Sequence, residues 1–396
     1  MLAGSLQPRQ RVLSLSFLEA SSYICVKTSY RDATDILNRF LGRTDADKIK
    51  PRTLSDSVCR TGNEIVDQLS AVTAHILAMY GFDDETGLPR TDVTLPEGIT
   101  MPVISGTPET DADKIQNTMD AVNAAREGKI PFSAQEVSIE SDPADCVYVS
   151  IDDIGVKHQK GSRAEGSERD YRFVENTVAH IQYGEKTYVL TGMGMRNVFK
   201  SVLAFLLMNN LLSRELVFLT DGAMDIKSHI ESVFQFHSYT ITLDWFHLKK
   251  RCQEWLSMAI RGKDRRNAVL EKLLRFLWVG DVPGAANYLS SLDAADIKNN
   301  KWRDELLGYF QKKGSAITCY ALRAKLDLRN SGNPVEKAND LTVAQRQKHN
   351  GMSWSADGSG SLAALQMNYL NDQADLWFRK KELYLFSAKS ASEKAA

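Results

Sequence analysis

Val147-Tyr-Val-Ser-Ile-Asp152 decides how the rest of this chain is read. Val147, Val149 and Ile151 alternate with Tyr148, Ser150 and Asp152, the period of two that sends successive side chains to opposite faces of a strand. The strand is read as ending in acid. Downstream, residues 172–183 and 186–191 alternate in the same way around Tyr183-Gly-Glu-Lys186, which reads as a hairpin. A helix is expected over about 196–212. Leu216-Val-Phe-Leu219 is a short apolar run of the kind shown by a strand covered on both faces, and it ends in Thr220-Asp221-Gly222-Ala223. A helix over about 224–235 follows, then a strand over about 238–243 that ends in Asp244-Trp-Phe-His247.

The order is strand, strand, strand, helix, strand, helix, strand. That is the order of an RNase H-like mixed sheet in an α/β chain, and several other α/β folds begin similarly. After residue 247 the strand character disappears. Residues 248–332 read as an all-helical, basic insertion carrying Trp255, Trp278 and Trp302, read first as core packing and second as platforms for stacked bases. Helices resume over about 334–350 and 360–385. Between them lies the Gly/Ser-rich piece Gly351-Met-Ser-Trp-Ser-Ala-Asp-Gly-Ser-Gly360.

The organisation that follows has a helical region over 1–81, an acidic linker over 82–146, core over 147–247, insertion over 248–332, more core over 333–385 and a tail over 386–396. In the first region, Ser29-Tyr-Arg-Asp32 and Thr53-Leu-Ser-Asp56 look like capping boxes. The first opens an amphipathic stretch through Ala33, Ile36, Leu37, Phe40 and Leu41, with Gly42 as its C-cap. Two capped helices with a tight connection fit either a DNA-binding helix-turn-helix or a small helical bundle.

The 396 residues are 43% hydrophobic and 25% charged, an ordinary globular balance. No apolar run approaches the roughly 18 residues a membrane span needs, and the N-terminus shows no secretory signal. Five scattered cysteines without a CxxC pair argue against a zinc knuckle or a disulfide framework and for a reduced, cytoplasmic protein. The net charge of −1 hides segregation. Residues 82–146 carry 14 acidic against 4 basic side chains, whereas 245–278 carry 9 basic against 3 acidic and 298–348 carry 11 against 5. Such basic runs fit either a phosphate backbone or solvated helix faces. Lys249, Lys250, Lys263, Arg265 and Arg266 are the candidate DNA contacts.

Asp152 and Asp221 each follow an apolar strand, which is the placement that two-metal phosphodiester chemistry asks of its carboxylates. Asp153 rivals Asp152, because a one-residue shift exchanges their faces. Asp244 and His247 form a D-x-x-H pattern at a strand-to-helix turn. They read either as a cap with a satisfied histidine or as part of a site, and not as zinc ligands, since no further Cys or His stands at ligand spacing.

Four stretches together resemble the bacterial insertion-sequence DDE transposases of the ISLre type, relatives of the Mutator-like group. They are Val147-Tyr-Val-Ser-Ile-Asp-Asp-Ile-Gly-Val-Lys-His-Gln159, Leu219-Thr-Asp-Gly-Ala223, Leu243-Asp-Trp-Phe-His-Leu-Lys249, and Gly332-Asn-Pro-Val-Glu-Lys-Ala-Asn339 with Gly351-Met-Ser-Trp-Ser355. The resemblance covers about residues 147–360. It implies that Asp152, Asp221 and Glu336 are catalytic and hold two Mg²⁺ or Mn²⁺ ions, with Glu382 a weaker rival for the third place. It implies that His247 belongs to the site and that 248–332 is the helical insertion before the glutamate helix. It further implies double-stranded DNA as partner (the element's inverted-repeat ends and a target) and a homodimer or larger synaptic complex. Two departures stand out. The family's cysteine-bearing N-terminal region is missing, and Asp-Asp replaces the usual Asp-Gly at 152–153. A catalytically inactive or domesticated DNA-binding relative, and an RNase H-like nuclease that does not transpose, remain as alternatives.

Overall fold

The period-two segment at 147 forms the central strand of a five-stranded sheet. The structure is a computed structural model that describes residues 14–101, 116–117, 119–121, 123–124, 146–159, 172–348 and 352–385. The strands are β1 (Cys146–Lys157), β2 (Phe173–Tyr183), β3 (Lys186–Gly192), β4 (Glu215–Thr220) and β5 (Tyr239–Leu243). Their order across the sheet is β3-β2-β1-β4-β5. β2 runs antiparallel to both neighbours, while β1, β4 and β5 are mutually parallel. β2 and β3 are joined by a two-residue turn that Gly184 closes at φ +53°.

One sequence expectation changes here. Asp152 does not end its strand: β1 continues to Lys157 and pairs with β2 throughout. What ends near Asp152 is the pairing with β4, whose last partners are Ser150 and Leu219. The adjacent Asp152 and Asp153 break the period of two, and beyond them the buried positions change phase to Ile154 and Val156, so the pattern hides a strand that β2 pairs throughout.

The crossover helix α4 (Met195–Met208) joins β3 to β4, and α5 (Met224–Val233) joins β4 to β5. Upstream, α1 (Leu15–Lys27) and α2 (Tyr30–Phe40) precede the 29-residue α3 (Pro51–Met79). Ser29 caps α2 as expected: its Oγ accepts from Asp32 N at 3.1 Å and donates to Asp32 Oδ2 at 2.7 Å. Thr53 does not cap α3. The helix starts two residues earlier, where Pro51 is set for the first turn by its fixed φ. The connection 41–50 is too long for the tight turn of a helix-turn-helix. Leu54, Val58, Ile65, Leu69, Ile76 and Leu77 of α3 are buried in the same apolar cluster as the sheet. On α2 only Ala33 and Leu37 of the expected apolar stripe are buried, and Ile36, Phe40 and Leu41 face outward.

Most of the expected acidic linker 82–146 and all of the tail 386–396 lie outside the described residues.

After β5 the chain is helical: α6 (Trp245–Ala259), α7 (Lys263–Trp278), α8 (Val282–Ser290), α9 (Asn300–Lys313) and α10 (Tyr320–Lys325). These helices bury their own apolar cluster, including Leu248, Leu256, Leu273, Leu289, Leu306 and Phe310. The tryptophans belong to it. Trp245 packs on Trp278 at 4.9 Å between ring centroids, and Trp255 packs on Trp302 at 6.3 Å. None of the five cysteines is in a disulfide.

α11 (Asn333–Asn339) returns to the sheet and continues into a π-helical turn, Asp340–Ala344. Then comes α12 (Ala356–Leu370), followed by α13 (Ala374–Lys380). The Gly/Ser-rich residues 356–360 are not a separator. They form the first turns of α12, whose residues from Gly358 to Asn368 are all buried. Small side chains are needed there because α3 lies against them: a Cβ on Gly62 would stand 2.1 Å from the carbonyl oxygen of Ser361. Among the described residues no helix is long and apolar enough to cross a membrane.

Candidate active site

The parallel strands bring three aspartates to one edge. β1–β4 pairing ends at Ser150–Leu219, and β4–β5 pairing ends at Thr220–Leu243. Asp152, Asp221 and Asp244 stand one or two residues beyond these last pairs, Asp152 within β1 and the other two just past the ends of β4 and β5. An open α/β sheet binds its ligands at that edge.

Asp152 and Asp153 are separated by the alternation of the strand. Asp152 Oδ2 accepts from Asn339 Nδ2 at 2.7 Å, and its Oδ1 accepts from Asp153 N at 2.9 Å. Asp153 turns the other way and accepts from the Thr177 hydroxyl of β2 at 2.5 Å. Burial, and next the negative charge of Asp221, push the Asp152 carboxyl above its ordinary range, against the Asp153 N–H bond and His247. Burial also raises Asp153, with Thr177 opposing and Asp225 adding to the rise. The carboxyl of Asp221 is thus near enough to Asp152 for its charge to act on it.

Asp221 begins the turn into α5, and its Oδ1 accepts from Ala223 N at 2.7 Å. Gly222 follows at φ +89°, where a side chain would be strained. Its missing Cβ also leaves room for the insertion, since an added Cβ would stand 2.9 Å from Leu243 Cδ1 and 3.3 Å from the Tyr309 hydroxyl. Tyr309 and Lys313 of α9 thus lie beside the Asp221 turn, a proximity nothing in the local sequence signalled.

Asp244 is 2% exposed and knots three segments together. Its Oδ1 accepts from Phe246 N at 2.6 Å and His247 N at 3.2 Å, capping α6. Its Oδ2 accepts from the Ser331 hydroxyl at 3.1 Å and from Gly332 N, so the chain leaving the insertion is tied to the chain entering it. Trp245 N donates to Asn330 O at 2.9 Å beside this knot. Burial opposes ionisation of Asp244, but the His247 and Gly332 contacts outweigh it and hold its pKa below the usual value.

His247 joins that knot to Glu336. Its Nε2 lies 3.1 Å from Glu336 Oε1 and its Nδ1 3.7 Å from Asp244 Oδ1. The second distance is an electrostatic contact and not a hydrogen bond, and Nδ1 has no hydrogen-bond partner. The Asp244 interaction raises the His247 pKa. Burial opposes the rise, and the charges of Asp244, Glu336 and Asp221 add to it. Glu382 accepts from the Tyr384 hydroxyl at 2.7 Å and meets none of these residues.

Asp152, Asp221, His247 and Glu336 therefore come from β1, the β4–α5 turn, α6 and α11 to one edge. Glu336 turns to His247. Among the described residues no three His, Cys, Asp or Glu side chains are grouped to hold a metal ion as they stand. The residue that reaches Asp152 from α11 is Asn339. It lies three residues after Glu336, the spacing of one helix face.

The basic candidates differ among themselves. Lys249 and Lys250 are exposed on α6, two and three residues after His247. Lys263 is exposed at the start of α7. Arg265 is ion-paired with Asp296 at 2.7 Å, and Arg266 reaches the Ser257 hydroxyl at 3.4 Å.

No family model matches the chain, and no curated protein matches it. Among solved structures it is similar to the Drosophila P element transposase strand transfer complex, at 10% identity and a TM-score of 0.28, over 95% of this chain and 83% of that chain. A score that low does not establish a common fold.

Proposed function

We propose that this chain is a DDE transposase built on an RNase H-like sheet, with Asp152, Asp221 and Glu336 as its carboxylates. One observation carries the reading: Asp152 and Asp221 stand at the same edge of neighbouring parallel strands, close enough that the Asp221 charge adds to the burial that raises the Asp152 pKa. The sheet order, with β2 alone reversed, supports it. So does the helical insertion between the last strand and the glutamate helix. Membership of the ISLre type stands on the four sequence motifs alone.

The donor set fits a hard divalent cation. It offers carboxylate oxygens, and the burial and the Asp221 charge that raise Asp152 both disfavour its bare anion, which a bound Mg²⁺ or Mn²⁺ would stabilise. Asp152 and Asp221, with Glu336 as third donor, would hold such ions, which would supply activation of an attacking oxygen and stabilisation of a leaving one. The chain's own contribution is placement. Asn339 orients Asp152 by its amide, and the Ala223 N–H orients Asp221. Asp244 fixes the start of α6 and the approach to α11 together, so that His247 and Glu336 keep their register. The substrate in this reading is double-stranded DNA at the ends of a mobile element, handled by two or more chains because two ends are joined.

One observation favours a second reading, a non-catalytic DNA-binding relative: Glu336 pairs with His247 and not with the two aspartates. Incubation with DNA carrying the element's ends separates the two. The transposase reading expects cleavage that requires Mg²⁺ or Mn²⁺ and is abolished by Asp221→Asn with DNA binding retained. Cleavage in excess chelator, or by the Asn variant, rejects the mechanism. Binding without cleavage by the wild-type chain favours the second reading.

A further inference from the structure

The interior of α9 carries a glycine that packing does not explain. Gly308 weakens a helix in which alanine would serve better. A Cβ added there would meet no atom within 4 Å, so no neighbour requires the side chain to be missing. Bare backbone under open space is what the close approach of a ligand asks for.

That space is a cleft between α6 and α9. It has a volume of about 480 Å³, within the roughly 300–1,000 Å³ of small-ligand sites. Trp255 of α6 and Tyr309 of α9 line it with Gly308. Both rings are half-buried, and their centroids stand 5.7 Å apart in an edge-on arrangement. The Arg251 guanidinium lies over the Trp255 ring at 5.3 Å and helps to hold it in place. Lys301, Lys312, Asp304 and Glu305 complete the lining, and all four are exposed.

The lining defines the occupant. Aromatic surface beside bare backbone suits a flat ring, and bases stack on such side chains whatever their sequence. Carboxylates accept from the exocyclic amino groups that bases carry. Lysines suit the phosphates that flank a base in a strand. A simple anion would meet Asp304 and Glu305, and an apolar ligand would use none of the four charges. A nucleobase on its phosphate backbone uses them all. The cleft also adjoins the carboxylate edge, because the Tyr309 hydroxyl would stand 3.3 Å from a Cβ on Gly222, next to Asp221.

We infer that this cleft takes an unpaired base of a DNA strand held at the Asp221 edge, stacked against Trp255 and Tyr309 over the bare backbone of Gly308. The insertion thereby contributes a substrate contact of its own. This rests on the nucleic-acid reading given above.

The test is anisotropy titration in Ca²⁺ of two labelled duplexes that carry the same short single-stranded extension, one with its bases and one abasic. The two have equal charge, so a difference between them reports the bases alone. The wild-type chain should bind the extension with bases about tenfold more tightly, the worth of one stacked base. Gly308→Leu keeps every charge and grows into open space, so it should melt no lower than wild type. It should bind both duplexes equally, at the wild-type affinity for the abasic one. Gly308→Ala, with a smaller group, should lose part of the preference. Equal binding of the two duplexes by the wild type overturns the base site, and so does a preference that survives in Gly308→Leu. Displacement of neither duplex by deoxyadenosine monophosphate is expected, since a free nucleotide lacks the rest of the strand. Tight binding of that nucleotide by a wild type indifferent to the bases would assign the cleft to a free nucleotide and overturn the strand site. A wild-type chain that binds no DNA removes the nucleic-acid reading and the base site with it, whereas binding that ignores the bases removes the base site alone.

Discussion

Asn339 Nδ2 lies 2.7 Å from Asp152 Oδ2, so a helix that begins after the insertion holds a carboxylate of the central strand. The bond spans 187 positions of sequence. Asn339 is 6% exposed and donates to an ionisable group. Asn339→Ala should therefore cost about 1–3 kcal/mol in urea denaturation. Asn339→Asp should cost more at neutral pH, where two carboxylates would meet, and the gap between the variants should close in acid. Equal stability of wild type and Asn339→Ala would show that the bond is not formed in solution.

Asp221→Asn should raise the melting temperature. The amide still accepts from Ala223 N and no longer repels Asp152. Mn²⁺ should raise the melting temperature of the wild type, since anything that binds the folded state alone stabilises it, and should not raise that of the variant. Equal Mn²⁺ shifts in the two proteins would remove Asp221 from the metal site.

His247 makes stability depend on pH. Its folded pKa is raised above the unfolded value of 6.5 by Asp244, against burial and with help from Glu336 and Asp221. The sign follows from proton binding: the folded state holds its proton more tightly. The contribution is complete below the unfolded pKa and is lost as pH rises through the folded one. His247→Gln should flatten the melting-temperature profile in that window. An imidazole that titrates at or below 6.5 by NMR would contradict the assignment.

Gly62→Ala should be severely destabilising, by about 3 kcal/mol or more, because the new methyl overlaps the Ser361 backbone. Denaturant midpoints measure it. A wild-type midpoint would mean that α3 and α12 do not approach as closely as described.

Lys249→Ala with Lys250→Ala should weaken binding to specific and random DNA alike and lower the salt slope by up to about two. These lysines are exposed beside His247, whereas Arg265 already has Asp296. Loss confined to one DNA sequence would imply base reading in place of phosphate contact.

Strand alternation was enough to find β1, β2 and β3, and a short apolar run to find β4, because β1 to β3 have a regular pattern and β4 is covered on both faces. The pattern failed where partners lie far away in sequence. β1 runs past Asp152 because β2 pairs with it. Residues 356–360 look like a loop because glycine and serine are weak helix formers, yet they suit the tight contact with Gly62. His247 and Glu336 were each singled out, but their mutual pairing was not, for the same reason.

The hydrogen bond from Trp245 N to Asn330 O brings the two ends of the insertion side by side. A lobe whose entry and exit touch can lengthen, shrink or be exchanged without moving the strands it interrupts, which is the geometry that tolerates grafted domains. The sheet edge and the lobe above it are thus free to diverge at different rates, with Asp244 as the clasp that every such exchange has to preserve.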